Sequence, residues 1–452
     1  MKKRLKLFFS GIGGSGVSAI ASFMADKGHT VVGSDRAFDR NPGHPMYTLL
    51  RSKHITVVPQ DGNGIDATFD LAVFSTAVEP DQPEIVKAKA LGVPLKTRPE
   101  YLAQIVTDFR TIAVAGTSGK STTAGMLAFL MHRLGMQPNF IGGGRVKQFK
   151  QEGNPGNAIT GDSDWLVIEA CESDGTIVNY KPVHSAILNL DFDHHVIDET
   201  AGMFETLAKN TSGMLVVNAD DKNLSRLGFK EAVTFSVDVS SRYRAEMIQY
   251  NPLGTEFMLQ GTKFCLSLPG KYNLSNALSC ITALAEMGVP LGDIAHVLPE
   301  FSGIERRFDI HLSNGQGLVI DDYAHNPHKI ASFMQSMQML RRHICYIFQP
   351  HGFAPTRMMK KEYIEAFVQN LRDSDHLILL PIYYAGGTVS KDISSHDLAE
   401  GVRAAGKSVE VIEERETILR RVEAGENYVV FGARDETLAD FAEALARRLN
   451  DR

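Results

Sequence analysis

The chain has 452 residues, 43% hydrophobic and 22% charged, a length that predicts about two to four domains because single cores rarely exceed ~250–300 residues. Its formal net charge of −6 excludes a general affinity for nucleic acid or anionic lipid, so an anionic ligand needs a local site. Four scattered cysteines without a C-x-x-C pair, and no apolar run near the ~18–20 residues that span a membrane, indicate a cytoplasmic protein without disulfides, a zinc knuckle or a membrane partner.

Short apolar runs alternate with segments of helical period along the whole chain, from residues 5–9 to residues 428–431. This alternation predicts α/β domains with mostly parallel sheets. Residues 242–268 differ, because β-prone and polar residues mix there, and they predict a small antiparallel insert. Two glycine-rich loops that follow strands, and a third α/β unit farther on, predict three domains. Their bounds are 1–107, 108–310 and 311–452.

The first glycine-rich loop lies between the predicted strand at residues 5–9 and a predicted helix. It fits G-x-G-x-x-G, in which glycines let the backbone approach a diphosphate and the helix N-terminus favours the negative charge. Asp35 ends the next strand, where dinucleotide-binding folds often place a ribose-binding acid. Taken alone, the loop indicates an NAD-dependent dehydrogenase, another nucleotide-diphosphate ligand or a turn without a ligand. The candidate diphosphate residues are Gly11, Gly13, Gly14, Ser15 and Gly16.

The second glycine-rich loop lies between the predicted strand at residues 112–115 and an amphipathic helix, the context of a phosphate-binding loop. Lys120 is expected on the β- and γ-phosphates, and the Ser121 hydroxyl on Mg²⁺. Val114 stands where the general Walker pattern has its first glycine, so the loop is a shortened form. It predicts an ATP site, for which a dehydrogenase has no need. The candidate ATP-binding residues are Gly116, Thr117, Ser118, Gly119, Lys120, Ser121 and Thr122.

These two loops, in this order, resemble those of the Mur ligases, and the similarity continues through nearly the entire chain. The further similar segments are E-A-C-E-S-D at 169–174, N-L-D-F-D-H at 189–194, G-K-Y-N-L-S-N-A at 270–277, R-R-F-D at 306–309, D-D-Y-A-H-N-P at 321–327 and F-Q-P-H at 348–351. The chain looks most like the branch that joins L-alanine to UDP-N-acetylmuramate. The resemblance implies a Rossmann-like UDP-sugar domain, a central ATPase domain and a C-terminal Rossmann-like domain for the amine.

The reaction that the resemblance implies is ATP-dependent amide-bond formation. A muramyl carboxylate accepts the γ-phosphoryl group of ATP, and an amine then displaces phosphate from the acyl phosphate. The residues suit this chemistry, because phosphoryl transfer between two anions needs charge neutralisation and alignment. By resemblance, catalysis is assigned to Lys120, Glu169, His194 and Arg307; the metal to Ser121, Glu169 and His194; further ATP contacts to Asn273, Asn276, Arg307 and Asp322; and the amine substrate to His325, His351 and Arg357.

The largest departures from the family lie near the C-terminus. Gly352 and Pro355 replace two arginines of the alanine-adding branch, whereas Arg357 remains, and G-A-R-D-E at 432–436 replaces a turn like G-A-G-N-I. The guanidinium group of arginine is well suited to bind the carboxylate of an amino acid, because it can donate two parallel hydrogen bonds. We therefore predict an acceptor other than simple L-alanine: another amino acid, a peptide or a different amine. The alternative is that Arg357 and two histidines, His325 and His351, suffice for alanine.

Other functions fit parts of the sequence. A recycling ligase that attaches whole peptides shares T-A-G-M at 123–126 but typically lacks F-Q-P-H. A folate-polyglutamate ligase shares A-H-N-P at 324–327 but has no N-terminal diphosphate domain, and a non-catalytic relative is expected to have lost Lys120, Glu169 or His194. The expected ligands are ATP, Mg²⁺, a UDP-linked amino sugar and an amino acid or peptide. The expected assembly is a monomer or homodimer without nucleic acid.

Overall fold

The computed structural model describes residues 4–41, 43–76, 78–151, 154–191, 196–251, 253–384, 389–435 and 437–451. Two compact units can be separated, Met1–Ile304 and Glu305–Arg452. Mostly parallel sheets flanked by helices form the framework of each unit, as the alternating sequence pattern predicts. The predicted domain boundaries after residues 107 and 310 stay predictions. None of the described helices is long and apolar enough to cross a membrane.

The first sheet is built from the N-terminal residues of the first unit. Its strands are β1 (Lys6–Ser10), β2 (Thr30–Ser34), β3 (Thr56–Val58), β4 (Leu71–Phe74) and β5 (Leu95–Thr97), and its helices are α1 (Ser15–Asp26), α2 (Arg36–Arg40), α3 (Pro45–Ser52), α4 (Pro83–Ala90) and α5 (Arg98–Asp108). All strands are parallel, in the order β3-β2-β1-β4-β5. Residues 7–9 of β1 are consecutive and fully buried, because helices cover both faces of the sheet.

The second sheet follows in the same unit. Its strands are β6 (Arg110–Ala115), β7 (Asn139–Ile141), β8 (Ala158–Ile159), β9 (Trp165–Glu169), β10 (His184–Ile187), β11 (Leu215–Asn218), β12 (Val233–Ser236) and β13 (Tyr243–Arg244), and its first helices are α6 (Lys120–Arg133), α7 (Ile197–Asn210) and α8 (Lys222–Arg226). The order is β13-β12-β11-β10-β6-β9-β7-β8, and all neighbouring pairs are parallel except β7 and β8, where β8 runs in the opposite direction. The carboxyl end of β6 therefore lies between those of β9 and β10, where open α/β sheets bind ligands.

A three-stranded antiparallel sheet completes the first unit and confirms the predicted insert at residues 242–268. Its elements are β14 (Glu246–Asn251), β15 (Gly254–Leu259) and β16 (Thr262–Leu266), followed by α9 (Lys271–Glu286) and α10 (Leu291–Val297). Phe257 and Phe264 are paired across β15 and β16, and their rings stack 5.3 Å apart. Helix α9 packs against α6, where the buried Cys280 thiol lies 3.4 Å from the Thr123 carbonyl.

The second unit contains one six-stranded sheet. Its strands are β17 (Asp309–Asn314), β18 (Gly317–Asp322), β19 (Ile344–Gln349), β20 (His376–Leu379), β21 (Val409–Val411) and β22 (Asn427–Gly432), and its helices are α11 (Pro327–Leu340), α12 (Phe353–Met358), α13 (Lys360–Asn370), α14 (Ser395–Ala404), α15 (Arg415–Arg420) and α16 (Thr437–Asn450). The order is β17-β18-β22-β19-β20-β21, with only β17 antiparallel. Helices α11, α13 and α14 cover one face, and α15 and α16 cover the other. The last strand, β22, thus lies at the centre of the sheet.

Candidate functional site

The phosphate-binding loop connects β6 to α6 at the carboxyl edge of the second sheet. Gly116 has φ +145° and Gly119 has φ +82°, conformations that side chains with a Cβ rarely adopt. Gly119 is also the residue before the first turn of α6, which contains Ser121 and Thr122. The loop therefore ends at a helix N-terminus, where unpaired backbone N–H groups favour an anionic ligand.

Lys120 is held inside this loop by two contacts. Its Nζ donates to the Gly116 carbonyl at 2.7 Å and lies 2.8 Å from Oε2 of Glu172, whose side chain is 1% exposed. Burial alone lowers the pKa of Lys120, but the nearby carboxylates of Glu172 and Glu169 outweigh it and raise the pKa above its ordinary value. Lys120 is therefore a fixed ammonium group beside the phosphate-binding loop.

Glu169 and Ser121 bring two oxygen ligands together next to the lysine. Ser121 Oγ donates to Glu169 Oε2 at 2.9 Å, and the Gly143 N–H donates to the same oxygen at 3.0 Å. A Cβ on Gly143 would lie 2.9 Å from this oxygen, so a larger residue there would displace the Glu169 carboxylate. The sequence analysis missed residues 142–144, although three consecutive glycines after a strand on the same sheet edge were a usable signal. Oxygen pairs of this kind suit Mg²⁺.

Asn189 fixes the shape of the loop, a role that the sequence analysis did not single out. Its Oδ1 accepts from Thr117 Oγ1 at 2.8 Å and from the Ser118 N–H at 2.7 Å, and its Nδ2 donates to the Ser118 carbonyl at 3.0 Å. The Asp191 N–H donates to Thr117 Oγ1 at 3.1 Å. His194, predicted as a metal ligand, lies outside the described residues. Among those that are described, no cluster of three His, Cys, Asp or Glu side chains is placed to hold a metal.

The two asparagines predicted to contact adenine are placed differently. Asn276 is buried, and its Oδ1 would lie 2.5 Å from a Cβ added to Gly119, so this side chain touches the loop. Asn273 is also buried, and its Nδ2 donates to the Pro269 carbonyl at 2.8 Å. Asn273 therefore holds the start of α9, whereas Asn276 contacts the phosphate-binding loop.

Gly119→Ala is expected to destabilise the first unit by roughly 2–4 kcal/mol and to weaken ATP binding about tenfold. The strained φ accounts for part of the loss, and displacement of the buried Asn276 accounts for the rest. Gly135→Ala, at the other end of α6, is the matched control, because Gly135 has φ +76° but no atom lies within 4 Å of an added Cβ. Chemical denaturation and ATP titration of both variants test the difference. Equal effects would contradict the proposed contact.

The first glycine-rich loop is braced by Asp35. Gly11 has φ +76°, and the Gly13 N–H donates to Asp35 Oδ2 at 2.9 Å. The other Asp35 oxygen accepts from the Ala37 N–H at 2.9 Å and so caps α2. Gly14 precedes the first residue of α1. The loop thus meets a helix N-terminus as predicted, and the acid predicted to bind ribose holds the loop backbone.

Arg98 connects this first loop to the acidic segment at residues 169–174. A Cβ on Gly16 would lie 3.2 Å from Arg98 Cδ, and Arg98 Nη2 donates to Asp174 Oδ2 at 2.8 Å. The buried Asn157 side chain donates to the Ser15 carbonyl at 3.0 Å. Arg98 therefore links the first glycine-rich loop to the chain segment that also contains Glu169 and Glu172. The sequence analysis had assigned Arg98 and Asn157 no role.

In the second unit, the consecutive residues Arg306 and Arg307 have different surroundings. Arg306 is buried at φ +58°, and it donates to Asp321 Oδ2 at 3.2 Å and to the carbonyls of Asp435 and Gly432 at 2.9 and 2.7 Å. Burial raises the pKa of Asp321 to about 7, although the Arg306 charge opposes the rise. The Arg307 guanidinium lies 4.8 Å from the centre of the Tyr323 ring. Only Arg307 is therefore available for the predicted phosphate contact.

Asp322, predicted to contact ATP, lies at the end of β18. Its Oδ2 accepts from the Phe308 N–H at 2.8 Å, and its Oδ1 accepts from the Ala324 N–H at 2.7 Å. Burial raises the pKa of Asp322, and the nearby charge of Arg307 opposes this effect. Asp322 therefore holds two backbone segments and lies in the electrostatic field of Arg307.

The structure brings two of the three predicted acceptor residues together. The rings of His325 and His351 are 5.3 Å apart and nearly perpendicular, and His325 Nδ1 lies 2.9 Å from the Tyr323 carbonyl. Because a carbonyl only accepts, His325 Nδ1 is the donor and Nε2 is left to accept a proton. Burial lowers the pKa of both imidazoles to about 4. Arg357, the third, is instead paired with Asp392 and donates to the Ser390 carbonyl at 2.9 Å.

The unfolding free energy of the second unit is expected to fall as the pH is lowered from about 6.5 to about 4. Both histidines stay neutral in the folded protein while unfolded histidines gain protons, so the unfolded state binds more protons in this window. The expected loss is on the order of 1–2 kcal/mol per ring, reduced from the full shift because both rings are partly solvated. Chemical denaturation at several pH values gives the unfolding free energy as a function of pH. This free energy should depend less on pH in His351→Gln than in His396→Gln, which alters an exposed histidine. Parallel curves would contradict the assignment.

A glycine-rich phosphate loop at the carboxyl edge of a parallel sheet, with a buried lysine–glutamate pair beside it, defines a nucleoside-triphosphate-binding α/β protein. Three sequence models of domains match: "Mur ligase family, catalytic domain" at residues 6–110, "Mur ligase middle domain" at 114–284 and "Mur ligase, glutamate ligase domain" at 306–447. The chain belongs to the Mur ligase family. The predicted family, its three-domain α/β fold and the class of ATP-dependent ligase are confirmed.

Individual relatives resemble the chain over nearly its full length. The UDP-N-acetylmuramate–L-alanine ligase of Syntrophotalea carbinolica is 31% identical and covers 99% of this chain and 98% of its own length. The enzyme of the same name from Sulfurihydrogenibium sp. has the same identity and coverage. The crystal structure of UDP-N-acetylmuramate-alanine ligase MurC from Thermotoga maritima has a TM-score of 0.81 and 26% identity, and covers 99% of this chain and 100% of its own. A murein peptide ligase from Psychrobacter arcticus, at 22% identity and TM-score 0.68, shares the fold.

Proposed function

We propose that this ligase joins the carboxylate of UDP-N-acetylmuramate to the amine of an amino acid, using ATP and Mg²⁺ and passing through an acyl phosphate. The observation that carries the proposal is the Lys120 ammonium, held 2.7 Å from the Gly116 carbonyl and next to the paired oxygens of Ser121 and Glu169. Relatives named for this reaction cover 99% of the chain. We propose a cytoplasmic location, because ATP and the UDP-sugar are found there.

The first unit contains the residues proposed to bind ATP and to assist transfer of its phosphoryl group. Lys120 offsets the charge that develops on the transferred phosphoryl group, and backbone N–H groups of residues 116–121 orient it. Ser121 and Glu169, with His194, are the proposed Mg²⁺ ligands. The bound cation would offset negative charge on the phosphates. We propose that the first glycine-rich loop, residues 11–16, binds the diphosphate of the UDP-sugar, while Asp35 holds the loop backbone beside it.

The second unit contains the residues proposed to bind the amino acid whose amine is joined. Because His325 and His351 have a pKa of about 4, both are neutral near pH 7, and an imidazole nitrogen can accept a hydrogen bond from the incoming amine. The loop after β19 supports the expectation of an altered acceptor site. Gly352 has φ +72°, a conformation that costs an arginine energy, so two missing arginines coincide with a backbone that favours glycine.

Phosphate release with ATP, Mg²⁺ and UDP-N-acetylmuramate, measured across single amino acids and short peptides, tests the proposal. UDP-N-acetylglucosamine is the matched control, because it lacks the lactyl carboxylate that is activated. The expected result is release that requires both the muramyl substrate and an amine. Release with L-alanine alone would show the two arginines to be dispensable. Release only with a peptide would favour the recycling ligase, and no release with any amine would contradict the proposal.

A further inference from the structure

Arg434 has a strained backbone at the carboxyl edge of the six-stranded sheet in the second unit. It follows β22 by two residues and has φ +65°, a conformation that is uncommon outside glycine and costs about 1–2 kcal/mol. The turn of the family that this segment resembles has glycine at this position, where the conformation carries no such cost. Strained positions of this kind cluster at ligand-binding sites, so the surroundings of the Arg434 side chain decide whether it has a role there.

The strand order places Arg434 among the acceptor residues. In the sheet, β22 lies between β18 and β19, with Phe431 opposite Asp322 and Gly432 opposite Gln349. The loops that follow these three strands therefore leave from the same edge. The Arg434 N–H donates to the Tyr323 hydroxyl at 3.3 Å, and the Tyr323 ring lies 5.5 Å from that of His325.

Two guanidinium groups near this edge, those of Arg307 and Arg434, are exposed and have no ion pair among the described residues. Arg306 is paired with Asp321 and Arg357 with Asp392, whereas no described residue accepts a hydrogen bond from the Arg434 side chain, which is exposed. Its positive charge adds to burial in lowering the pKa of the His351 imidazole. His351 Nδ1 is buried and has no hydrogen-bond partner among the described residues.

The two available arginines contact Tyr323 on different sides. The Arg307 guanidinium lies against the ring face, while the Arg434 backbone is bound to the hydroxyl group. This arrangement allows a division of roles: Arg307 serves the phosphates, and Arg434 serves a second anion beside the histidine pair. The α-carboxylate of an amino acid is such an anion, and a guanidinium group matches its geometry with two parallel hydrogen bonds.

We propose that Arg434 binds the α-carboxylate of the amino acid whose amine is joined, in place of the arginines absent at Gly352 and Pro355. This inference rests on the proposed function and narrows its acceptor to an α-amino acid with a free carboxylate. Arg434 is then a specificity-determining residue: it orients the acceptor so that the amine faces His325 and His351. The groups that accept a hydrogen bond from the amine remain the histidines.

Comparison of an amino acid with its carboxamide tests this role. L-alanine and L-alaninamide, or the best acceptor of the amino-acid screen and its amide, are compared in wild type, Arg434→Gln, Arg434→Lys and Arg421→Gln. Wild type is expected to prefer the acid in kcat/KM about 10–100-fold, as suits a charge-assisted contact. Arg434→Gln should lose this preference because its kcat/KM for the acid falls, while its kcat/KM for the amide changes less than about threefold. Arg434→Lys should keep part of it, and Arg421→Gln, at an exposed arginine paired with Glu410, should keep all of it.

The outcomes separate this inference from the proposed function. Glutamine at φ +65° is as strained as arginine, so Arg434→Gln is expected to fold, and its KM for ATP should match that of wild type. An active wild type with the same acid-to-amide ratio in Arg434→Gln would overturn the role of Arg434 and leave the proposed function intact. A wild type that releases no phosphate with any amine would overturn both.

Discussion

Lys120→Met is expected to reduce ATP-dependent phosphate release at least about 10³-fold. The ammonium group is placed at the loop by the Gly116 carbonyl and by Glu172, and methionine keeps the length of the side chain without the charge. Steady-state phosphate release at saturating ATP measures the loss. A variant with activity within about tenfold of wild type would contradict the assignment of Lys120 to the phosphates.

The same substitution leaves the Glu172 carboxylate buried without its partner, which is expected to cost about 3–5 kcal/mol of stability. The loss of activity could then be mistaken for loss of fold. Lys120→Met combined with Glu172→Gln removes both charges, so it should recover most of the stability and none of the activity. Denaturation curves alongside the assay separate the two effects. Recovery of activity together with stability would mean that Lys120 acts only through the fold.

Glu169→Gln is the second change with a large expected effect, a decrease in turnover of about 10²–10³-fold. The amide keeps an oxygen that can accept from Ser121 and from the Gly143 N–H, so the stability should change by less than about 1 kcal/mol. What is lost is the negative charge proposed to bind Mg²⁺. The apparent Mg²⁺ requirement should therefore rise along with the loss of turnover.

Titration of Mg²⁺ at fixed ATP in wild type, Glu169→Gln and Glu256→Gln measures this effect. Glu256 is a carboxylate of the antiparallel sheet, paired with Lys263, and serves as the control for a change of one charge. The Glu256 variant should follow the wild-type curve. If the Glu169 variant also followed that curve at full activity, the carboxylate would have no part in metal binding.

The two glycine-rich loops could be predicted because their residues are consecutive, and strand–loop–helix context makes such motifs specific. The residues that brace the two loops could not be predicted, because these residues lie far from the loops in the sequence. Asn189 lies 71 residues from Ser118, and Gly143 lies 26 residues from Glu169. Their contacts follow from the strand order β10-β6-β9-β7, which hydrophobic periodicity does not specify. The sequence therefore predicts the elements of the second sheet and leaves their order open.

Motif similarity also does not say which way a side chain faces. Asp35 and Asn273 were expected to meet a ligand, and in the structure both hold nearby backbone groups. Within R-R-F-D at 306–309, Arg306 has a positive φ and a buried side chain paired with Asp321, whereas the side chain of the adjacent Arg307 is exposed. Local backbone geometry, which one sequence does not reveal, decides between a structural and a ligand-binding role in such cases.

The position of β22 has a consequence for how the chain is made. Synthesis proceeds from the N-terminus, so β18 and β19 are complete long before their shared neighbour at residues 427–432 is available. Until then, each presents unpaired backbone groups along an edge that is interior in the finished sheet, and such edges invite pairing with other chains. A nascent chain that stalls before β22 lacks a central strand. The facing edges of β18 and β19 are thus covered only once residues 427–432 have been synthesised and have entered the sheet.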